Sequence, residues 1–160
     1  MDKVGRVIAV AGSQMTVRLE ADRLAEEAIR IGAMVKARSA ALDVVGTIAA
    51  IQAEAGGSSP SSLCIVDLFG EIASAADGQS HFSRGVSHYP VSGTPVRAVS
   101  DADLTAVYIR PSATNVSVGT LYHDPGRRAF VLVNELLAKN FAVLGATGSG
   151  KSCAVTSAAT

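Results

Sequence analysis

The sequence predicts a mostly β protein in which a small closed β-barrel is followed by the beginning of an α/β domain. Many short extended segments follow one another at close intervals, and no long helical pattern occurs before residue 134. Glycines inside two of the strands, Gly46 and Gly70, indicate the bends that small barrels use to close. Closure would also remove the exposed sheet edges that promote aggregation.

The first two strands have the clearest pattern. Residues 4–10 form a largely apolar run, residues 11–13 supply a glycine-containing turn, and residues 14–20 alternate between polar and apolar side chains. Met15, Val17 and Leu19 share one face of the second segment, and this period of two is typical of a half-buried antiparallel strand. We therefore expect a hairpin.

The other barrel elements follow from changes in this pattern. Apolar residues recur at helical spacing over residues 21–30, which indicates a short helix, and the glycine- and serine-rich stretch 55–62 indicates a hairpin tip. Residues 73–93 are polar and irregular. The remaining segments are expected to be extended: 33–37, 43–52, 63–72, 91–99 and 103–110.

The last third of the sequence alternates between extended and helical segments. Strands are expected at 116–122 and 129–133, with a turn at 123–126 between them. Asn134 is a suitable N-cap for a helix over 135–139. The apolar run 141–144 contains no polar side chain, as expected of a strand buried on both faces.

A phosphate-binding motif follows that run directly. Residues 145–152 match G-x-x-x-x-G-K-[ST] at every fixed position. Gly145, Gly148 and Gly150 allow the backbone to curl so that successive N–H groups point into one concavity, which attracts an anion. A helix beginning near Lys151 would add the positive end of its dipole. A flexible linker that matches by chance is the alternative.

The motif assigns a role to each residue type. The Lys151 ammonium is expected to reach the β- and γ-phosphates of ATP and is the expected catalytic residue, and the Ser152 hydroxyl is expected to bind Mg²⁺. Cys153 lies at a helix start, where a thiol can become more acidic, although a small packed side chain is the simpler interpretation. The predicted binding residues are Gly145, Ala146, Thr147, Gly148, Ser149, Gly150, Lys151, Ser152 and Cys153.

Composition narrows the class of protein. The apolar fraction of 48% is sufficient for a core, and the charged fraction of 18% argues against disorder. The net charge of zero gives no overall attraction to nucleic acid or acidic membranes, and the aromatic fraction of 4% argues against base stacking. No signal peptide or membrane-spanning run is seen, so a cytoplasmic protein is expected.

Only residues 153–160 follow Ser152, which leaves no room for the second-strand carboxylate and the other groups that an ATPase needs. We therefore expect the sequence to be the front portion of a longer protein. Residues 1–112 are the expected barrel domain, and residues 113–160 are the expected beginning of the ATPase domain.

Four local patterns together resemble the HerA-type ATPases, relatives of FtsK-like DNA pumps. They are Gly5-Arg6-Val7-Ile8, Arg84-Gly85-Val86 with Tyr89-Pro90, Gly119-Thr120-Leu121-Tyr122, and the run from Leu136 to Ser152. The resemblance implies a ring-forming DNA translocase or helicase that acts as a homo-oligomer, expected to be a hexamer, on double-stranded DNA. It also implies a barrel that holds subunits together and docks partners, among them a nuclease.

Two functions from different classes remain open. The first is an ATP- and Mg²⁺-dependent DNA translocase, and the second is a barrel that serves assembly and docking without hydrolysis. Arg84 is interpreted either as a contact to DNA or a neighbouring subunit, or as a structural residue. The pair Arg127-Arg128 is interpreted as a solvated pair on a turn, with a phosphate contact as the alternative. Loop positions are expected for His81, His88 and His123, and turn positions for Asp101 and Asp103.

Overall fold

The computed structural model describes residues 3–20, 29–53, 62–74, 80–121, 124–139, 142, 144–150 and 152–153. The chain divides into two compact units, Met1–Val107 and Tyr108–Thr160. Within the described residues, none of the helices has the length and hydropathy needed to cross a membrane. The predicted helix at 21–30 lies almost wholly outside the described residues, as do the hairpin tip at 55–62, His123 and Lys151.

The first unit is built around a closed antiparallel β-barrel, which confirms the predicted mostly β fold with a small closed barrel. Six strands follow one another around the barrel in the order β2-β1-β7-β3-β4-β5, and β5 pairs with β2 to close it. A further strand, β6, pairs with β5. The strands are β1 Lys3–Ala11, β2 Gln14–Leu19, β3 Met34–Ser39, β4 Leu42–Ala53, β5 Ser62–Ser74, β6 Ser80–Arg84 and β7 Pro95–Ala98.

Alternating side chains from these strands fill the barrel. Met15, Val17 and Leu19 of β2 are buried, as the period of two predicted, and the polar residues between them lie outside. Each of the other barrel strands contributes one or more side chains to the same cluster, including Val7, Val35, Val44, Ile48, Val66 and Val96. Because burial drives folding roughly in proportion to the apolar area removed from water, this cluster is the main stabilising feature of the unit.

Glycines allow the barrel strands to approach and bend. The pairing of β4 with β5 shifts register between Val45 and Gly46, which confirms the predicted irregularity at Gly46. A Cβ atom at Gly46 would lie 2.5 Å from Val66 Cγ1 and 2.8 Å from the Asp67 carbonyl oxygen. At Gly5 it would lie 2.3 Å from the Arg18 carbonyl oxygen. Neither position has room for any side chain.

The segment 103–110 was expected to be extended, and this prediction was wrong. Residues Asp101–Val107 form the helix α1. The Asp103 backbone N–H donates to Ser100 Oγ over 3.2 Å, and the Ser100 N–H donates back to Asp103 Oδ2 over 2.7 Å. This reciprocal pair is a capping box with Asp in the place of Glu, and it starts the helix. The residues after Asp103 alternate between two sets of side chains and so predict a strand. The capping pair of Ser100 and Asp103 is the signal that indicates a helix instead.

The second unit contains a two-stranded antiparallel sheet and a short helix. Strand β8 runs over Asn115–Leu121, β9 over Asp124–Leu132 and helix α2 over Val133–Leu137. A turn was predicted at 123–126, but β9 already begins at Asp124, so residues 124–126 belong to a strand. Leu132, not Asn134, is the N-cap of α2, and its side chain makes no capping hydrogen bond.

The strand predicted at 141–144 is not seen in the described residues of that range. Ala142 and Leu144 lie outside any strand, and Leu144 is 89% exposed. A strand buried on both faces needs hydrogen-bonding neighbours and covering helices. Among the described residues of this unit, β8 and β9 pair only with each other.

Candidate functional site

Two of the three glycines in the predicted phosphate loop, residues 145–152, have a left-handed backbone conformation. Gly148 and Gly150 both adopt a φ of +82°, in the left-handed region that favours glycine. A Cβ atom at either position would meet nothing within 4 Å, so conformation and not space requires glycine there. Every described residue of the loop is exposed.

Local contacts shape the rest of the loop. The Ser149 N–H donates to the Ala146 carbonyl oxygen over 3.2 Å, which closes a tight turn just after Gly145. Ser152 and Cys153 are helical and exposed. The described loop residues are therefore exposed and precede two residues in helical conformation, Ser152 and Cys153.

The structure describes eight of the nine predicted binding residues, all except Lys151. The described ones are exposed and lie close together in the sequence, on either side of Lys151. The roles predicted for Lys151 and Ser152 stay predictions. Cys153 is exposed, whereas the packed position under the loop was the simpler interpretation of its small side chain.

The β8–β9 hairpin and α2 precede this loop in the chain. Gly119 adopts a φ of +144° where the pairing of β8 with β9 shifts register. The Arg110 guanidinium lies 5.7 Å from the centre of the Phe130 ring, at cation–π distance. Arg127 Nε donates to Asp124 Oδ2 over 2.6 Å. Arg127 is therefore an ion-paired residue and not the solvated charge that the sequence suggested.

The segment 84–90 contains one of the four patterns behind the family resemblance. A buried carboxylate accepts hydrogen bonds from its backbone. Glu71 is 5% exposed, and its Oε1 accepts the backbone N–H groups of Ser87 over 2.6 Å and His88 over 2.8 Å. The His88 N–H bond lowers the pKa of Glu71; burial acts against this and the Ser87 bond adds to it. Sequence reasoning missed Glu71, because nothing in its neighbours along the chain marks it.

The first residue of that segment, Arg84, is at the end of β6, and Gly85 after it adopts a φ of +89°. The Gly85 N–H donates to the Phe69 carbonyl oxygen over 3.0 Å. His88 is 59% exposed, which agrees with the expected solvent-facing loop. Within the described residues, no three His, Cys, Asp or Glu side chains converge as metal ligands.

A second buried polar group, the ion cluster formed by Lys36, Asp43 and Asp103, joins α1 to the outside of the barrel. Lys36 Nζ lies 2.8 Å from Asp103 Oδ2 and 3.2 Å from Asp43 Oδ2, and these three side chains are 7–13% exposed. Arg38 Nε contacts Asp43 Oδ1 over 2.9 Å. Asp103 is therefore a buried partner of lysine, not the turn residue that was expected.

Residues 116–157 match a family model described as the central domain of the helicase HerA. This segment contains most of the β8–β9 hairpin, the helix α2 and the whole phosphate loop. The match supports a relationship to HerA/FtsK-type ATPases at a coarse level. No curated protein matches the chain.

Proposed function

We propose that this chain carries the nucleotide-binding segment and the assembly barrel of a HerA-type ATPase. The observation that carries the proposal is the match of residues 116–157, because the phosphate loop lies inside that segment. The left-handed conformation of Gly148 and Gly150 supports this proposal, because residues with a side chain rarely adopt a positive φ.

The residues present fit a nucleoside triphosphate with Mg²⁺. Backbone N–H groups within 145–150 would bind phosphate oxygens, Lys151 would contact the β- and γ-phosphates, and Ser152 would bind the metal ion. Bound Mg²⁺ would neutralise phosphate charge during phosphoryl transfer. On this proposal the working protein is a cytoplasmic homo-oligomeric ring, a hexamer, that moves double-stranded DNA and docks a partner nuclease through its barrel.

Nucleotide binding by the 160-residue chain tests the loop directly. We expect a fluorescent ATP analogue to bind in the presence of Mg²⁺, and Lys151→Ala to weaken binding by about 10- to 100-fold, because a charge-assisted contact contributes about 1.5–3 kcal/mol. Lys139→Ala is the matched control, since Lys139 is exposed and its Nζ pairs with Glu135. Equal affinities for wild type and Lys151→Ala would contradict the proposal.

A second candidate function is a non-catalytic assembly module. The closed barrel favours it, because unit Met1–Val107 has its own buried core and does not need the loop for its topology. Sedimentation of the chain with and without ATP distinguishes the two functions. Oligomers that form without nucleotide, and equally in Lys151→Ala, support the module; a monomer under every condition counts against it.

A further inference from the structure

Within the part of the barrel unit that the structure describes, β6 is the strand that pairs on one side only. The strands β1, β2, β3, β4 and β7 each have two neighbours in the closed barrel. β5 pairs with β4 along one side and with β2 and then β6 along the other. The second edge of β6 therefore presents backbone N–H and C=O groups to which no described strand is paired. Edges of this kind accept a further strand.

The pairing of β6 with β5 decides which of its backbone groups face this edge. The Gly85 N–H donates to the Phe69 carbonyl oxygen over 3.0 Å, so Gly85 faces β5. Because the direction of hydrogen bonding alternates along an antiparallel strand, His81 and Ser83 face β5 as well. The residues whose backbone groups face away from β5 are Ser80, Phe82 and Arg84. Outside the strand ladders, none of the described backbone hydrogen bonds involves these three residues.

The edge of β6 lacks several features that usually protect an edge strand. Residues Ser80–Arg84 include no Pro or Lys, and their pairing with β5 contains no bulge. Helix α1 contacts β6, but its Asp103 pairs with Lys36 of β3. The helix therefore lies across the face of the sheet. The strand has only five residues, so a contact through its edge should be weak.

Phe82 is held in place at the centre of this edge. A Cβ atom at Gly70 would lie 2.3 Å from Phe82 Cε2, so the ring occupies the space that the glycine leaves. The centres of the Phe69 and Phe82 rings are 5.8 Å apart, and their planes are tilted by 57°. The ring is partly exposed. It can therefore meet an aromatic partner without a large loss of side-chain freedom.

The outward groups of β6 are arranged symmetrically about Phe82. When two copies align antiparallel with Phe82 opposite Phe82, Ser80 of each copy lies opposite Arg84 of the other. His81 then lies opposite Ser83. This register joins outward groups to outward groups and gives about six backbone hydrogen bonds. It also pairs two aromatic rings and sets no two arginines opposite each other, and both features favour strand pairing.

We propose that β6 pairs with β6 of a second copy of this chain around a two-fold axis, so that two barrels share one continuous sheet. Such a contact uses the same residues on both sides and closes on two copies. A ring requires heterologous contacts instead. The inference therefore goes beyond the proposed function and depends neither on nucleotide binding nor on ring formation.

Sedimentation velocity of the 160-residue chain without nucleotide tests the pairing. Over about 5–500 µM protein, the mean mass should rise from that of one 16.3 kDa chain toward that of two, because small interfaces give weak complexes. A monomer over the whole range would overturn the proposal. Assembly directly into a hexamer would also overturn it, because a two-fold contact stops at two copies.

Charges at position 80 test the register. Ser80→Glu places a carboxylate opposite Arg84 twice in each dimer and should tighten the dimer about 3- to 10-fold. Ser80→Arg places like charges opposite each other and should weaken the dimer by about the same factor. His81→Glu is the matched control, because it adds an acidic residue to the same strand but lies opposite Ser83; its effect should stay within about 2-fold. Equal effects of Ser80→Glu and Ser80→Arg would contradict the register.

A measurement on the wild-type chain covers the case in which a substitution disturbs β6. Amide hydrogen exchange at Phe82 and Arg84 should slow at least about 5-fold between dilute and concentrated protein, because the dimer satisfies their outward N–H groups. The N–H groups of His81 and Ser83 already bond to β5, so their exchange should change less than about 2-fold. Equal slowing at all four residues, or no slowing, would overturn the proposal.

The β6 contact and the phosphate loop give separate results. Lys151→Ala should dimerise as wild type does, since Lys151 is not part of the edge. Ring assembly with ATP can be followed in Ser80→Arg, in which the β6 contact is weakened. Loss of nucleotide binding with the dimer intact would contradict only the proposed function, and a missing dimer with normal nucleotide binding would contradict only the pairing of β6.

Discussion

The barrel unit and the second unit differ in where their apolar side chains lie. Every buried apolar residue of the described chain belongs to Met1–Val107, and the described residues from Tyr108 onward are all at least partly exposed. The first unit is therefore held by a core, whereas the second has local hydrogen bonds and strand pairing. Isolated two-stranded sheets are marginally stable in water, so the second unit is expected to be the less stable one.

The two units also use glycine for opposite reasons. In the barrel, Gly5 and Gly46 have neighbouring atoms where a side chain would lie. In the phosphate loop, Gly148 and Gly150 have open space but a positive φ. Substitution in the barrel should therefore reduce the stability of the whole unit, and substitution in the loop should alter only the loop.

The largest effect is expected at the buried ion cluster. Lys36→Met would leave Asp43 and Asp103 buried without their shared cation, and we expect a loss of about 3–5 kcal/mol in the free energy of unfolding by urea. The double variant Lys36→Met/Asp103→Leu removes part of the unpaired charge and should recover part of that loss. A loss below about 1 kcal/mol in the single variant would show that the cluster is not a buried unit.

The next largest loss of stability is expected from shortening a core side chain, and it can be compared with the same kind of change in the second unit. Met15 is fully buried in the barrel, and Met15→Ala should cost about 2–5 kcal/mol, because it leaves a cavity. Val118 of β8 is 47% exposed, and Val118→Ala should change the barrel transition by less than about 0.5 kcal/mol. Thermal and urea melts followed by circular dichroism measure both, and similar shifts would break the comparison.

The two classes of glycine give a third comparison. Gly5→Ala places a Cβ atom against the Arg18 carbonyl oxygen and should destabilise the barrel by about 1–3 kcal/mol. Gly148→Ala meets no atom and should leave the barrel transition in place, while a left-handed alanine costs the loop about 1 kcal/mol. Nucleotide affinity should therefore fall about 5-fold in the second variant only. This interpretation of the glycines would be disproved if Gly148→Ala destabilised the barrel and Gly5→Ala lowered nucleotide affinity.

A pH dependence should follow from Asp103. Burial alone would raise its pKa, but hydrogen bonds from Lys36 and Ser100 outweigh this and lower the pKa below the usual 3.8. A depressed carboxyl pKa contributes stability that is present above pH 3.8 and lost as pH falls through the folded-state value. Urea melts from pH 6 to pH 2 should show that loss, and Asp103→Asn should flatten it. An identical pH profile in both proteins would contradict this assignment.

The smallest effect is expected at Glu71. Glu71→Gln keeps the oxygen acceptor but removes its charge, so the bonds from Ser87 and His88 should weaken by about 1 kcal/mol. Amide hydrogen exchange at these two residues should quicken about 5-fold, while exchange in β1 and β2 stays unchanged. A uniform increase across the barrel would mean that Glu71 stabilises the whole unit instead of the segment 84–90.

Much of the barrel was predictable because a local pattern, such as alternating polar and apolar side chains, identifies its strands from short stretches of sequence. The alternation around Met15 and the bend at Gly46 are examples. Strand β6 and helix α1 were missed for different reasons. The β6 sequence is mostly polar and lacks a strand pattern, and its strand forms by pairing with β5. Helix α1 could have been predicted, because Ser100 and Asp103 form a capping pair at its start. In the candidate site, the loop glycines were predictable, but the exposure of Leu144 was not.

By itself, the sequence determined the period of two in β2, the turn between β1 and β2, and the glycine-rich pattern of residues 145–152. These depend on backbone preferences and side-chain polarity over a few residues. Only the tertiary structure decided that Lys36 meets Asp43 and Asp103, that Glu71 accepts the N–H groups of 87–88, and that Arg6 lies opposite Arg18. Closing the sheet sets the register between strands distant in sequence, and charges become neighbours only through that register.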